Sequence, residues 1–351
     1  MALICANFSS IVVESNSKET ILVTGATGLV GTQILKMLDC DKHRVIGLAR
    51  SLPKQLQPGI EWVCCDLLDI VALEAALVGV NKVYHAAGLV SFDPKFKTSL
   101  KSINVDGTAN LVNACIKNNV QKLLHVSSVA AIGEAKGKKA VIHENLEWDE
   151  RGATQYANSK YFSEMEVWRG VCEGLDAVII NPSIILGAGD WEKGSTAMFK
   201  SAFDEFPWYT EGVHGFVDVL DVARIAIKLM ESDISSERFI INGANITYKA
   251  LFDRMAEGFG KKKPSKKVTP LLAEIVWRFK YLKGIVTGKP SILNKNTART
   301  ALAVCEYSSE KLIGRFPDFN YTPIRETVNR VCQELGVRYR LKANFNNSNE
   351  N

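Results

Sequence analysis

Tyr156-Ala157-Asn158-Ser159-Lys160 sets a tyrosine and a lysine four residues apart, on one face of any helix that contains them. A phenol and an ammonium so placed can move a proton. Reduction of a carbonyl by hydride leaves an alkoxide that must be protonated, and alcohol oxidation is the same step reversed. Free tyrosine titrates near ~10, too high for an efficient acid or base at neutral pH. A neighbouring ammonium favours the phenolate, and lowering a tyrosine by about two units requires roughly 2.7 kcal/mol of differential stabilisation, within reach of a partly desolvated charge. Upstream, Ser127-Ser128 ends the apolar run from Lys122, where a parallel sheet presents its ligands. A serine hydroxyl beside the tyrosine can hydrogen-bond the substrate oxygen. Ser128 is the better placed of the two, just past the strand and shortly before Gly133.

Such a constellation needs a scaffold and a hydride carrier. The stretch Ile21 to Thr32, Ile-Leu-Val-Thr-Gly-Ala-Thr-Gly-Leu-Val-Gly-Thr, reads as a strand, a tight turn and the first turn of a helix. Gly25 lets the chain leave the strand, Gly28 lets backbone approach a pyrophosphate, and Gly31 lets the helix pack closely on the sheet. The unpaired N–H groups at the helix start then face the phosphates. Gly25, Thr27, Gly28, Leu29, Val30 and Gly31 are therefore the first cofactor-binding candidates.

From Ile21 onward apolar runs alternate with amphipathic stretches, which implies a parallel sheet with right-handed crossovers. Strands are predicted over Ile21–Thr24, Arg44–Ala49, Glu61–Cys65, Lys82–His85, Lys122–Ser127, Ala177–Ile180 and Arg238–Ile241. That pattern predicts an α/β fold, a Rossmann-type doubly wound parallel sheet with a smaller C-terminal substrate lobe. The second strand ends in Leu48-Ala49-Arg50, where a dinucleotide fold places its ribose-reading residue. An acidic side chain there would bond the free hydroxyls of NAD, whereas Arg50 offers a planar fork to a 2′-phosphate, favouring NADP with NAD as the alternative. Arg44 and Lys54 are alternative cations, and Arg50 can also be read as a solvated strand end. Asp66, with Leu67 beside it, follows the third strand and can contact the adenine edge. The fourth strand runs into His85-Ala86-Ala87-Gly88, whose small residues leave room for the cofactor backbone. Asn104-Val105-Asp106-Gly107-Thr108 opens a helix in this reading.

Composition excludes several alternatives. The chain has 351 residues, 46% hydrophobic and 23% charged, which is the profile of a folded globular protein and not of a disordered one. Net charge is only +5, and the basic run Lys261–Lys267 reads as a solvated loop, so no nucleic-acid partner is expected. The eight cysteines form no Cys-x-x-Cys pair and no histidine cluster accompanies them, so no metal site is expected. Free cysteines suit a reducing compartment, and Met1–Ser10 lacks the basic start of a secretory signal, which makes cytoplasm the expected address.

Taken together, Thr24-Gly25-Ala26-Thr27-Gly28-Leu29-Val30-Gly31, His85-Ala86-Ala87, Asn104-Val105-x-Gly107-Thr108, Ser127-Ser128 and Tyr156-x-x-x-Lys160 resemble an extended short-chain dehydrogenase/reductase, of the NAD-dependent epimerase/dehydratase superfamily. The likeness runs on through Asn181-Pro182-Ser183 and Phe216–Ala223 and is greatest to the dihydroflavonol reductase and 3β-hydroxysteroid dehydrogenase branch. It implies a nicotinamide cofactor, Tyr156 as proton donor or acceptor, Lys160 also holding the nicotinamide ribose, Ser128 polarising the carbonyl, and Pro182 and Ser183 beside the nicotinamide. A homodimer is common in the superfamily.

On the substrate side, Ser91 and Phe92 follow the fourth strand, and Ala188–Val213 is dense in aromatics, among them Trp191. These residues suggest an apolar pocket wall, while packing of the small lobe onto the sheet is the competing reading. The domains read as an N-terminal extension (1–18), a Rossmann core (19–187), a mixed region (188–340) that is mainly substrate lobe with Rossmann elements returning at about 214–243, and a disordered tail (341–351). Helices are expected over Ile246–Phe259, from Tyr307, and over Ile324–Leu335. Another, from Thr269 to Leu282, carries Trp277 and interspersed cations and could touch a membrane surface, though a lobe wall is the plainer reading. The expected activity is NADP-dependent hydride transfer to or from a secondary alcohol or ketone of an apolar small molecule. Nucleotide-sugar epimerisation or dehydration with retained NAD, or a noncatalytic cofactor-binding role, are the alternatives.

Overall fold

The computed structural model describes residues 18–133, 141–269 and 301–341. The expected Thr269–Leu282 helix therefore lies almost wholly outside the described residues, as do most of the N-terminal extension and the tail. The first five strands are β1 (Glu19–Thr24), β2 (His43–Ala49), β3 (Ile60–Cys64), β4 (Lys82–His85) and β5 (Lys122–Val126). After the two-residue β6 (Val141–Ile142) come β7 (Ala177–Pro182), β8 (Ile184–Leu186), β9 (Trp208–Tyr209), β10 (Val213–Asp218), β11 (Glu237–Ile241) and β12 (Ala244–Thr247). Two short strands, β13 (Lys266–Lys267) and β14 (Glu306–Tyr307), follow among the described residues.

Seven of these form one sheet in the order β11-β7-β5-β4-β1-β2-β3, every neighbouring pair parallel. They are the seven strands predicted from the apolar runs, and the fold is a Rossmann-type α/β fold. Most predicted strand ends lie within one residue of the observed ones, β7 running two residues further to Pro182. The chain winds outward from β1 through β2 to β3, then returns to place β4 on the other side of β1. The C-terminal ends of β1 and β4 consequently flank the topological switch point, where a doubly wound sheet opens a crevice.

Alternation along β1 shows how the layers are held. Ile21 and Val23 face one core with Val30, Ile34 and Leu35 of α1 (Leu29–Met37) and the apolar stripe of α7 (Val219–Glu231). Leu22, between them, faces the opposite core. There it meets Leu73 of α2 (Ile70–Ala76), Leu111 and Cys115 of α4 (Gly107–Lys117), and Val167 of α5 (Gln155–Cys172). The short α3 (Lys97–Leu100) precedes α4.

A third core builds the small lobe. It joins Phe199 of α6 (Thr196–Phe203), Leu251 and Met255 of α8 (Tyr248–Gly258), and Val328, Val331 and Leu335 of α10 (Ile324–Arg338). A further helix, α9 (Glu310–Arg315), begins after β14, so the helix expected from Tyr307 starts three residues later. A three-stranded sheet, β12-β10-β8, joins the lobe to the main sheet. None of its three strands lies within the seven runs predicted as strands.

Candidate active site

Local sequence decides where Tyr156 and Lys160 point. Thr154 caps α5, its hydroxyl accepting from the Ala157 N–H at 3.0 Å, which fixes the first turn and the tyrosine in it. One turn on, Lys160 is buried and donates from Nζ to the Val126 carbonyl at the end of β5, 3.0 Å away. Burial pushes the Lys160 ammonium down to about 8, against the opposing pull of Glu164. Ser128 lies just beyond β5, its hydroxyl accepting from Ala130 N–H at 3.2 Å and sharing a hydrogen bond with the phenol of Tyr156. Burial raises the Tyr156 pKa and the Ser128 hydrogen bond lowers it. The structure thus brings Ser128, Tyr156 and Lys160 together at the C-terminal edge of the sheet.

Asn104 has a larger part than the sequence reading allowed. The helix expected to open at Asn104 instead begins upstream at Lys97, and Lys101–Asp106 forms a π-helical segment joining α3 to α4. Asn104 is therefore interior and buried, not a cap. Its Oδ1 accepts from the Leu89 N–H at 2.7 Å, and its Nδ2 donates to the Leu89 carbonyl at 3.0 Å and to Ser159 Oγ at 2.9 Å. It clamps the loop after β4 to α5. Widened helical turns of this kind recur at functional sites. The available signal was an asparagine, a poor helix former, inside a segment otherwise able to be helical.

Behind the clamp runs a buried relay. Thr108 Oγ1 donates to the Asn104 carbonyl at 2.6 Å and so can only accept from His85 Nε2, 3.0 Å away. His85 then carries its proton on Nε2 and accepts at Nδ1 from Thr24 Oγ1 at 2.7 Å. Thr24 Oγ1 in turn accepts from the Ala87 N–H. Burial, followed by the nearby Lys160 charge, pushes His85 down to about 3, consistent with a neutral ring.

The glycine turn has the geometry a dinucleotide needs. Gly25 has φ of 64°, and a Cβ there would lie 2.6 Å from the backbone of Ala86 and Ala87. A Cβ on Gly31 would lie 2.3 Å from the Gly25 carbonyl, so helix and turn touch through backbone alone. Gly28 caps α1 with no side-chain hydrogen bond, and Thr27 and Gly28 are exposed, leaving the first helical N–H groups open toward the crevice. Leu29 is half-buried and Val30 buried beneath them. At the other end of the crevice, Ser183 is buried and its hydroxyl has no partner among the described residues. Pro182 precedes it at the end of β7, and Gly88 lies close to Lys160, a Cβ there falling 3.3 Å from Nζ. An uncapped helix start and an orphaned hydroxyl at opposite ends of one crevice fit a nicotinamide dinucleotide.

The other candidates fall into two groups. Arg50 is exposed beyond β2, and its guanidinium makes no hydrogen bond or ion pair among the described residues, its carbonyl accepting from Cys64 Sγ at 3.2 Å. Arg44 is at the start of β2 and already paired to Glu61, with contacts of 2.7 to 3.0 Å, so it is both at the wrong end and occupied. Asp66 is exposed, with Oδ1 accepting from Leu68 N–H, while Leu67 is buried against the position of Gly107. Among the substrate candidates, the Phe92 ring packs edge-on to Tyr156 with centroids 5.4 Å apart, and Ser91 accepts from the Asp93 N–H. Trp191 is placed differently. It is buried in the small-lobe core against Phe203, Phe259 and Tyr339, so the packing reading describes its position.

Fold and site together define a nucleotide-dependent enzyme of the short-chain dehydrogenase/reductase type. Residues 21–242 match the NAD dependent epimerase/dehydratase family, and the chain belongs to that family, within the extended short-chain dehydrogenase/reductase superfamily. Sterol demethylase protein B of Methylococcus capsulatus is 28% identical over 260 residues, covering 73% of this chain and 79% of that protein. The 3 beta-hydroxysteroid dehydrogenase/Delta 5-->4-isomerase of Vaccinia virus is 26% identical over 334 residues, covering 86% of this chain and 93% of that one. The crystal structure of gox2253 superposes with a TM-score of 0.77 at 28% identity, covering 92% of this chain and 99% of that chain. Among the described residues no helix is long and apolar enough to cross a membrane, and no cluster of His, Cys, Asp and Glu could hold a metal ion.

Proposed function

We propose that this protein is an NADP-dependent oxidoreductase that interconverts a ketone and a secondary alcohol on an apolar small molecule. The observation that carries this reading is the Tyr156 phenol, hydrogen-bonded to Ser128 and flanked by the Phe92 ring. A carbonyl oxygen replacing the phenol as partner of the Ser128 hydroxyl would receive a hydrogen bond from it, and Tyr156 would supply the proton that the developing alkoxide needs. Lys160 stays charged below about pH 8 and favours the phenolate left behind. The bound cofactor supplies or accepts the hydride. Asn104 holds the loop that carries Ser91 and Phe92, and the partly exposed Phe92 ring sets apolar surface against the tyrosine, which suits a substrate with little charge. Sterol and steroid names among the relatives point the same way. Arg50, exposed and without an ionic partner among the described residues, supports NADP over NAD.

The test is consumption of NADPH with a panel of apolar ketones, compared with NADH. Tyr156→Phe should abolish turnover and leave cofactor binding nearly intact. Unchanged turnover in that variant would sink the catalytic assignment, and NAD retained through purification together with activity on a nucleotide sugar would replace the reading with an epimerase one.

A further inference from the structure

Behind Lys160 lies a buried charge that none of these steps uses. Glu164 is one turn beyond Lys160 in α5, so Tyr156, Lys160 and Glu164 form a ladder along one helix face. Glu164 is wholly buried. Its Oε2 accepts from Arg238 Nη1 at 3.2 Å across from β11, and Arg238 is itself held by donating to the Glu144 carbonyl at 2.9 Å. Its Oε1 accepts from Asn181 Nδ2, and the same amide donates to the Ser128 carbonyl at 3.0 Å. A buried carboxylate is tolerated only where donors and an opposite charge surround it, and here both are present. Burial raises the Glu164 pKa, while contacts with Ser127, Arg238 and Asn181 act in the other direction.

The other titratable groups around Lys160 cannot supply its counter-charge. His85 from β4 and His125 from β5 are buried and held below their ordinary range, both partly by the Lys160 charge itself. Tyr156 on the same helix is raised by burial and stays a neutral phenol at pH 7 in the free protein. Among the described residues, Glu164 is the group that opposes the desolvation of Lys160.

Resting on the reductase reading above, we propose that Glu164 is a positioning residue for the reaction: its carboxylate keeps the Lys160 ammonium charged and, through Asn181, fixes the strand end that presents Ser128. It touches neither substrate nor cofactor and acts only through these partners.

The test follows Lys160 directly. In 13C-lysine NMR of the cofactor-free protein, the Lys160 side-chain signal is identified by its loss in Lys160→Met. It should titrate near pH 8 in the wild type. In Glu164→Gln the midpoint should fall by about one unit or more, as expected for loss of an opposite charge nearby, while Glu164→Asp should hold it near the wild-type value. Glu164→Gln strands the Arg238 guanidinium and could fail to fold. The double variant Glu164→Gln, Arg238→Gln replaces the buried pair by neutral groups and should shift the midpoint in the same direction by a smaller amount, because a cation is removed with the carboxylate. An unshifted Lys160 titration in either folded variant overturns the proposal, since a merely structural glutamate would leave it unmoved. The high-pH limb of kcat should move down with the NMR midpoint. A protein that reduces no carbonyl but shows the shifted titration would refute the reductase reading and leave the role of Glu164 standing.

Discussion

The two ends of the crevice are built on opposite principles. At the catalytic end, Asn104 and His85 are buried and linked through Thr108, Lys160 is buried and bonded to the end of β5, and Tyr156 packs against the Phe92 ring. At the ribose end, Thr27, Gly28, Arg50 and Asp66 are exposed, and the Arg50 guanidinium has no ionic partner among the described residues. The first end is set before a ligand arrives. The second presents exposed groups. Errors introduced at the buried end should therefore appear in rate and in the pH dependence of folding, and errors at the exposed end in cofactor affinity.

The largest expected effect tests the buried end. Lys160→Met keeps much of the side-chain volume and removes the ammonium one helical turn from Tyr156. Turnover should fall by about 10²- to 10⁴-fold, the usual contribution of a positioned acid–base apparatus, while the protein remains folded by circular dichroism. Loss confined to the KM for NADPH would mean that Lys160 is only a cofactor contact, and the contrast between the two ends would dissolve.

A somewhat smaller effect concerns acid stability. In the unfolded chain a histidine takes up its proton near 6.5, whereas folded His85 resists until about 3. Between those values the unfolded state binds the extra proton, so stability is full above about pH 6.5 and is lost as pH falls toward 3. The slope is about 1.4 kcal/mol per pH unit for one such group, or roughly 2 kcal/mol between pH 6.5 and 5. Buried His125 adds a change of the same sign. Urea unfolding at the two pH values measures it, and His85→Asn should flatten the slope. Equal stability at both would show that the relay is not held neutral.

Legibility in the sequence follows the same division between backbone and side-chain logic. The seven main strands were readable because each is a run of apolar residues long enough to register, and the glycine turn because only backbone geometry of that kind needs Gly25 and Gly31 together. Ser128, Tyr156 and Lys160 were readable because a four-residue spacing on one helix face follows a strand-terminal serine in a chain that carries the glycine turn. Asn104 was misjudged because asparagine before Gly107 resembles a cap, and only tertiary partners reveal an interior clamp. Trp191 was ambiguous for a related reason, since an aromatic side chain lines a pocket or fills a core with the same chemistry, and its contacts with Phe203 and Tyr339 are long-range. Glu164 and Arg238 are 74 residues apart, and nothing local marks either as half of a buried pair.

At the exposed end the expected losses are in binding. Arg50→Ala should raise the KM for NADPH by about tenfold or more, the scale of a charge-assisted hydrogen bond, with kcat and the KM for NADH nearly unchanged. A parallel loss with both cofactors would place Arg50 outside the phosphate site and leave that end of the crevice without a selective group.

The smallest effect is the sharpest control on that assignment. Arg44 belongs to the same strand as Arg50 and carries the same charge, so a purely long-range electrostatic account would give both residues similar weight. Geometry separates them. Arg44 pairs with Glu61 near the beginning of β2, away from the C-terminal crevice, and its side chain is 51% exposed, so solvent screens much of the pair. Arg44→Ala should cost less than about 1 kcal/mol in urea unfolding and leave the NADPH-to-NADH preference unchanged. If it instead changed the preference as much as Arg50→Ala, the 2′-phosphate would be sensing the net charge of the face, and the specific fork at Arg50 would have to be abandoned.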